Sequence, residues 1–313
     1  MSEDALPFGL AQHVADDVQM VVANVRKQAI ARLTAALADA YVDQILTELR
    51  GLPVRADATG LRRGCYLYAV IEGDGTGAVT GQRGVLGAAV RLLSADDLCA
   101  LVSDVDVDQV AQLSTDAAVD DSSPLAVAVR AHDAVVDTAF RAGAVIPLRF
   151  GTVVTDDAAA TEMLRAHAGT LRAELRRVAQ AAEWSVRVTT SAEVPAEEPV
   201  PAATASTGRD YLTLLGQELQ VRAESRRRAD DTAALVHRAL CELALDAVRG
   251  HGSGDGAPLL KATYLVRRDA AERFVACCDE MRATLERQGM TLECTGPWPA
   301  YHFVDVRLED AVQ

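Results

Sequence analysis

Aromatic residues make up only 4% of this 313-residue chain, although half of its residues are hydrophobic. A close-packed core must therefore be built mainly from Ala, Val and Leu. Lysine is nearly missing as well. Lys27 and Lys261 are the only two among 31 basic residues, which we read as genomic composition rather than function. No excess of positive charge exists: the net charge is −14 and the isoelectric point about 4.9. That balance repels a phosphate backbone and excludes a nucleic-acid binder. It disfavours an anionic membrane surface for the same reason. There is no run of ~18 apolar residues to span a membrane. The acidic N-terminal stretch lacks the apolar segment of a signal peptide, so none is expected. None of the six cysteines (Cys65, Cys99, Cys241, Cys277, Cys278 and Cys294) forms a CxxC motif or a zinc-type spacing. The expectation is buried free thiols in a reducing cytosol.

Signatures of catalysis are equally scarce. Glycines at 73, 75, 77, 81, 84 and 87 form a rich loop, but no GxxxxGK[ST] string occurs. The segment after them reads as a strand, whereas a dinucleotide fingerprint needs a helix there. No GxSxG elbow is present. His132-Asp133 is the most enzyme-like dipeptide, but His132 shares an apolar helix face with Val129 and Val136. A buried, hydrogen-bonded core histidine is the expectation. No histidine has a second ligand four residues on, so no helical metal site is expected. Cys277-Cys278 lies beside Asp279 and Glu280, whose charges raise a thiol pKa and oppose nucleophilicity. Arg226-Arg227-Arg228 has Glu224, Asp230 and Asp231 at helical spacing and reads as a solvated face.

The length suggests two domains. Residues 1–60 form an N-terminal amphipathic extension. Within it, Val14, Val18, Val22, Val25, Ala29, Leu33, Leu37 and Tyr41 recur at steps of three or four along one helix over 11–50. Gly51 stops that helix and Pro53 prevents its resumption. Residues 61–190 form a first α+β domain. Its expected elements are a strand at 65–71, a hairpin at 88–93 and 98–105, and an acidic loop at 106–123. A helix follows from Ser123-Pro124 to Gly143, then a strand at 144–149 and a helix from 155 to 178. Trp184, Val186 and Val188 form a strand that closes the domain. Residues 191–207, rich in Pro, Ala and Glu, are the linker. Residues 208–313 form a second α+β domain, with a helix over 211–249 whose middle is charged. A strand at 259–267, a helix at 270–288 and a strand pair at 291–294 and 301–307 complete it. Strands and helices mixed in this way argue for an α+β class.

Two separated stretches carry the most information. One is Val145-Ile146-Pro147-Leu148-Arg149-Phe150-Gly151-Thr152-Val153. The other is Gly296-Pro297-Trp298-Pro299-Ala300-Tyr301-His302-Phe303-Val304. Together with Cys65-Tyr66-Leu67-Tyr68-Ala69-Val70, Leu101-Val102-Ser103-Asp104-Val105 and Gly208-Arg209-Asp210-Tyr211-Leu212, they resemble the GvpL/GvpF family of gas vesicle proteins over residues 64–308. The resemblance implies two α+β domains, the first ferredoxin-like, and a cytoplasmic, gas-vesicle-associated accessory or minor structural protein without catalysis or cofactor. It also implies the small hydrophobic shell protein GvpA, with other vesicle accessory proteins, as partners. Candidate contact residues are the 11–50 stripe, namely Val14, Val18, Val22, Val25, Leu33, Leu37 and Tyr41, together with Arg149, Trp298 and Tyr301. Two alternatives stay open. One is a small-ligand sensor or enzyme built on two ferredoxin-like domains, with a pocket under the Gly73–Gly87 loop and His132. The other is a coiled-coil scaffold that self-associates through its long helices.

Overall fold

A computed structural model describes residues 52–54, 56, 60–73, 81–113, 123–190, 208–250 and 258–304. The chain divides into two compact units, with the boundary between Ala179 and Gln180.

In the first unit, β1 (Arg63–Glu72) is the central strand. It pairs antiparallel with β3 (Leu98–Asp106), which pairs antiparallel with β2 (Arg91–Ala95). The other side of β1 is shared by two short strands, β4 (Ile146–Pro147) and β5 (Val153–Val154). The expected strand over 144–149 shrinks to β4, because the chain turns away after Pro147. β1 is buried on both faces, which is why it reads as a continuous apolar run.

Helices α1 (Val107–Gln112) and α2 (Pro124–Ala142) follow β3. α1 lies where an acidic loop was expected. Asp106 caps it through Asp108 N–H, and Val107 and Val110 are buried. The start of α2 is as the sequence reads: Ser123 Oγ accepts from Ala126 N–H at 3.2 Å, and Pro124 takes the first turn. Leu125, Val129, His132, Val136 and Phe140 are buried on one face.

The helix expected from 155 to 178 is two helices, α3 (Asp157–Ala166) and α4 (Ala168–Val178). They break at His167, whose φ of −104° and ψ of 9° leave the helical region. Leu164, Leu171, Leu175 and Val178 remain inward across the break.

The second unit is a four-stranded antiparallel sheet of β6 (Ala181–Thr190), β7 (Asp246–Arg249), β8 (Leu260–Arg267) and β9 (Met290–Trp298), in the order β7-β8-β6-β9. Helices α5 (Gly208–Cys241) and α6 (Ala271–Glu286) pack with one face of it. The order along the chain is βαββαβ, the ferredoxin-like arrangement. The first unit shares the equivalent strand order. Among the described residues, its first two strands are joined by a single 3-10 turn, Val85–Gly87, and by no α-helix.

This topology moves three expected elements. The strand around Trp184 was expected to close the first domain. It instead pairs with β8 and β9 as the central strand of the second sheet. Residues 246–249, expected as helix, are β7, after α5 stops at Cys241. The expected strand pair around Gly-Pro-Trp-Pro is one continuous strand, β9, and Tyr301–Phe303 is a turn rather than a strand. In that turn Tyr301 N–H donates to Pro299 O and Phe303 N–H to Ala300 O.

The core of the second unit lies between sheet and helices. Val186, Val188, Leu260, Ala262, Tyr264, Val266 and Leu292 meet Ala233, Val236, Leu240, Phe274 and Leu285 there. Among the described side chains of α5, those of its C-terminal part contribute. From Leu219 to Arg228 every described side chain of α5 is exposed, Leu219 and Val221 included.

Candidate functional site

Both information-rich stretches are held by a buried polar group of a central strand. In the first unit that group is Tyr66 on β1. Gly151 N–H donates to Tyr66 Oη at 3.0 Å. His132 Nε2 lies 3.2 Å from Leu148 O, and a carbonyl only accepts, so Nε2 carries the proton. His132 Nδ1 is then the acceptor for the Tyr66 hydroxyl, 3.0 Å away. The chain Gly151 N–H to Tyr66 to His132 to Leu148 O closes on itself. It clasps the Pro147–Gly151 segment at both ends, and Gly151 supplies a φ of +86° that other residues adopt only at a cost. Phe150 and Tyr68 pack their rings against His132. Leu148 N–H also donates to Tyr68 O at 2.9 Å.

His132 is 1% exposed, and burial pushes its pKa down to about 4, so it is neutral near pH 7. Both ring nitrogens are committed. This is the satisfied core histidine expected from its apolar helix face, and it offers no base to a substrate. Tyr66 is likewise raised well above its ordinary pKa, first by burial. Cys65, facing away from Tyr66, is pushed up to about 12 by burial and then by the Asp157 carboxylate, which removes it as a nucleophile.

In the second unit the holding group is Glu183 on β6, a carboxylate that is 4% exposed. Its two oxygens accept from His302, one from the backbone N–H at 2.8 Å and one from Nδ1 at 2.7 Å. The hydrogen bond to Glu183 raises the pKa of His302 and so favours the charged imidazolium. Beside it, Gly296 crosses β6 so closely that a Cβ there would lie 2.9 Å from Glu183 O and from the Trp184 ring.

Of the candidate contact residues, Arg149 is exposed at the tip of the clasped segment. Trp298 and Tyr301 are half-buried, one at the end of β9 and the other in the following turn. Those two are brought together in one strand end, while Arg149 belongs to the other unit. The stripe Val14, Val18, Val22, Val25, Leu33, Leu37 and Tyr41 lies outside the described residues.

Sequence reasoning missed Tyr66 and Glu183 as the anchors. Tyr66 sits within an apolar run, so only the hydroxyl singled it out. Glu183 could have been flagged as a carboxylate set between Ala182 and Trp184 in the buried first half of its strand. Among the described residues, no three of His, Cys, Asp and Glu converge as metal ligands. No described helix is long and apolar enough to cross a membrane.

The fold is therefore that of a two-unit α+β protein whose signature stretches are clasped onto central strands and whose most enzyme-like histidine is sealed in a core. The family model for gas vesicle synthesis protein GvpL/GvpF matches residues 64–305, and the chain belongs to that family. It is 32% identical over 256 residues to gas vesicle protein L of Streptomyces sp. (strain CB03234), spanning 78% of this chain and 94% of the relative. It is 31% identical over 226 residues to gas vesicle protein F of the same strain, spanning 69% and 88%. The crystal structure of the gas vesicle protein GvpF from Anabaena sp. PCC7120 superposes with a TM-score of 0.58 at 18% identity. That superposition covers 78% of this chain and 97% of the other, and it shows a common fold.

Proposed function

We propose that this protein is a non-catalytic accessory in gas vesicle assembly that binds the small hydrophobic shell protein GvpA and holds it soluble in the cytoplasm before it joins the shell. The observation that carries this reading is the family match over residues 64–305. The physical logic is that a shell subunit with exposed apolar surface aggregates unless covered. A partner of net charge −14 keeps the resulting complex dispersed by self-repulsion. The proposed contacts are the 11–50 stripe for the apolar surface, with Arg149 and the Trp298–Tyr301 strand end as additional anchors. The closed hydrogen bonding of His132 counts against the sensor or enzyme alternative, because it leaves neither ring nitrogen of that histidine to meet a ligand.

The test is a pull-down of tagged protein with co-expressed GvpA, alongside a variant lacking residues 1–50. Retention by the full chain and loss by the truncated one support the reading. Full retention by the truncated chain removes the stripe from it, and no retention by either removes GvpA. Self-association is favoured by one observation, the exposure of Leu219 and Val221 on α5. Sedimentation velocity of the full chain, with Leu219→Glu as the comparison, decides that.

A further inference from the structure

Two of the six cysteines meet inside the second unit. Cys278 is on α6, where it shares the inward stripe of Phe274 and Leu285 and is fully buried. Cys294 is on β9, opposite Val186 in the register, two residues from inward-facing Leu292 and half-buried. Packing of α6 on β9 brings both into one core. The two thiols are hydrogen-bonded to each other. Cys277, the neighbour of Cys278 in sequence, is more exposed but is not part of that bond.

We infer that Cys278 and Cys294 form a redox-responsive pair that closes to a disulfide between α6 and β9 when the protein meets an oxidised low-molecular-weight thiol. Sulfurs already in hydrogen-bond contact need only a small approach to reach the bonded distance of about 2.05 Å. The partially accessible member is Cys294. The hydrogen bond from Cys278 lowers its pKa, and the same bond with burial raises that of Cys278. Cys294 is therefore the thiolate that attacks.

The steps balance. The Cys294 thiolate attacks one sulfur of the disulfide RSSR, forming a mixed disulfide and releasing RS⁻. The Cys278 thiol then gives its proton to RS⁻ and attacks Sγ of Cys294, releasing a second RS⁻ that takes up the proton first lost from Cys294. The net result is one protein disulfide and two RSH. β9 ends at Trp298, four residues beyond Cys294, so closure fixes the strand that carries the Trp298–Tyr301 surface to α6. The inference is independent of the proposed partner.

The test uses the full chain, folded, incubated with oxidised glutathione and then alkylated without reduction. The expected result is loss of two free thiols, a mass lower by two hydrogen atoms before alkylation, and a cross-linked peptide pair containing Cys278 and Cys294. Dithiothreitol reverses all three. Cys277→Ser keeps the linkage, whereas Cys278→Ser and Cys294→Ser each abolish it. Because Cys278→Ser places a hydroxyl in the core, the wild-type peptide map is the decisive readout. A linkage through another cysteine overturns the inference. So does a lasting glutathione adduct on Cys294 with the Cys278 thiol still free, or an unchanged thiol count.

Discussion

Replacing Tyr66 by Phe keeps the ring and removes one oxygen. That oxygen accepts from Gly151 N–H and donates to His132 Nδ1, both at 3.0 Å. Its loss leaves a buried donor and a buried acceptor unpaired. Each orphaned group costs about 1–3 kcal/mol, and the two share one partner, so we expect roughly 3 kcal/mol rather than the full sum. Fluorescence is a poor reporter of this change, because both tryptophans, Trp184 and Trp298, belong to the second unit. Amide exchange read by mass spectrometry on peptides from β1 and from 145–154 is the suitable assay. At about 1.4 kcal/mol per factor of ten, exchange of the globally protected amides there should quicken roughly a hundredfold. Peptides from β8 are the internal comparison. Exchange in the first unit within about threefold of wild type would refute the clasp as an energetic element.

Three further outcomes follow from the same geometry. His132 has a folded pKa of about 4 against an ordinary 6.5, so it contributes stability above pH 6.5 that is lost as pH falls through 4. The full contribution is about 3 kcal/mol, and a His132→Gln variant should show a flatter decline in first-unit exchange protection between pH 6.5 and 4. His302 has the opposite sign. Its folded pKa is raised by Glu183, so its contribution is present below pH 6.5 and lost as pH rises through the folded value. The side chain is half exposed, so screening limits this to below about 1 kcal/mol. Tryptophan-monitored unfolding of wild type should weaken from pH 6 to 8.5 relative to His302→Gln. Gly296→Ala forces a Cβ to 2.9 Å from Glu183 O and the Trp184 ring. Overpacking and backbone strain together should destabilise the second unit by about 3 kcal/mol, seen as a lower denaturant midpoint in tryptophan fluorescence.

Much of this architecture can be read along the chain, and the failures have physical causes. Ser123-Pro124 marked the start of α2 because a capping hydroxyl and a first-turn proline act locally. His132 was recognisable as core because the helical period places it with Val129 and Val136. The β2–β3 hairpin was readable from its Asp-Asp turn. The membership of β6 was not. Alternation of Trp184, Val186 and Val188 says that one face is buried but not against which sheet, and the Pro-rich stretch after Thr190 drew the boundary to the wrong side of the strand. For that reason the favoured reading leaves the second domain as α+β with a long helix, since without β6 its sheet has three strands, and only the sensor alternative carries two ferredoxin-like domains. Residues 246–249 continued a helical pattern in sequence, and only pairing with β8 makes them a strand. The clasps are non-local, since Tyr66 and Gly151 are 85 residues apart and Glu183 and His302 are 119 apart, and no spacing rule connects them. The thiol pair of Cys278 and Cys294 escaped a motif search because packing, not spacing, joins it.

The central claim concerns solubility of the shell protein, and one centrifugation experiment addresses it most directly. Purified GvpA is diluted from denaturant with and without a molar equivalent of this protein, then sedimented. The account predicts that GvpA stays in the supernatant and co-migrates with this protein on gel filtration. Sedimentation of GvpA to the same extent with and without this protein would contradict it.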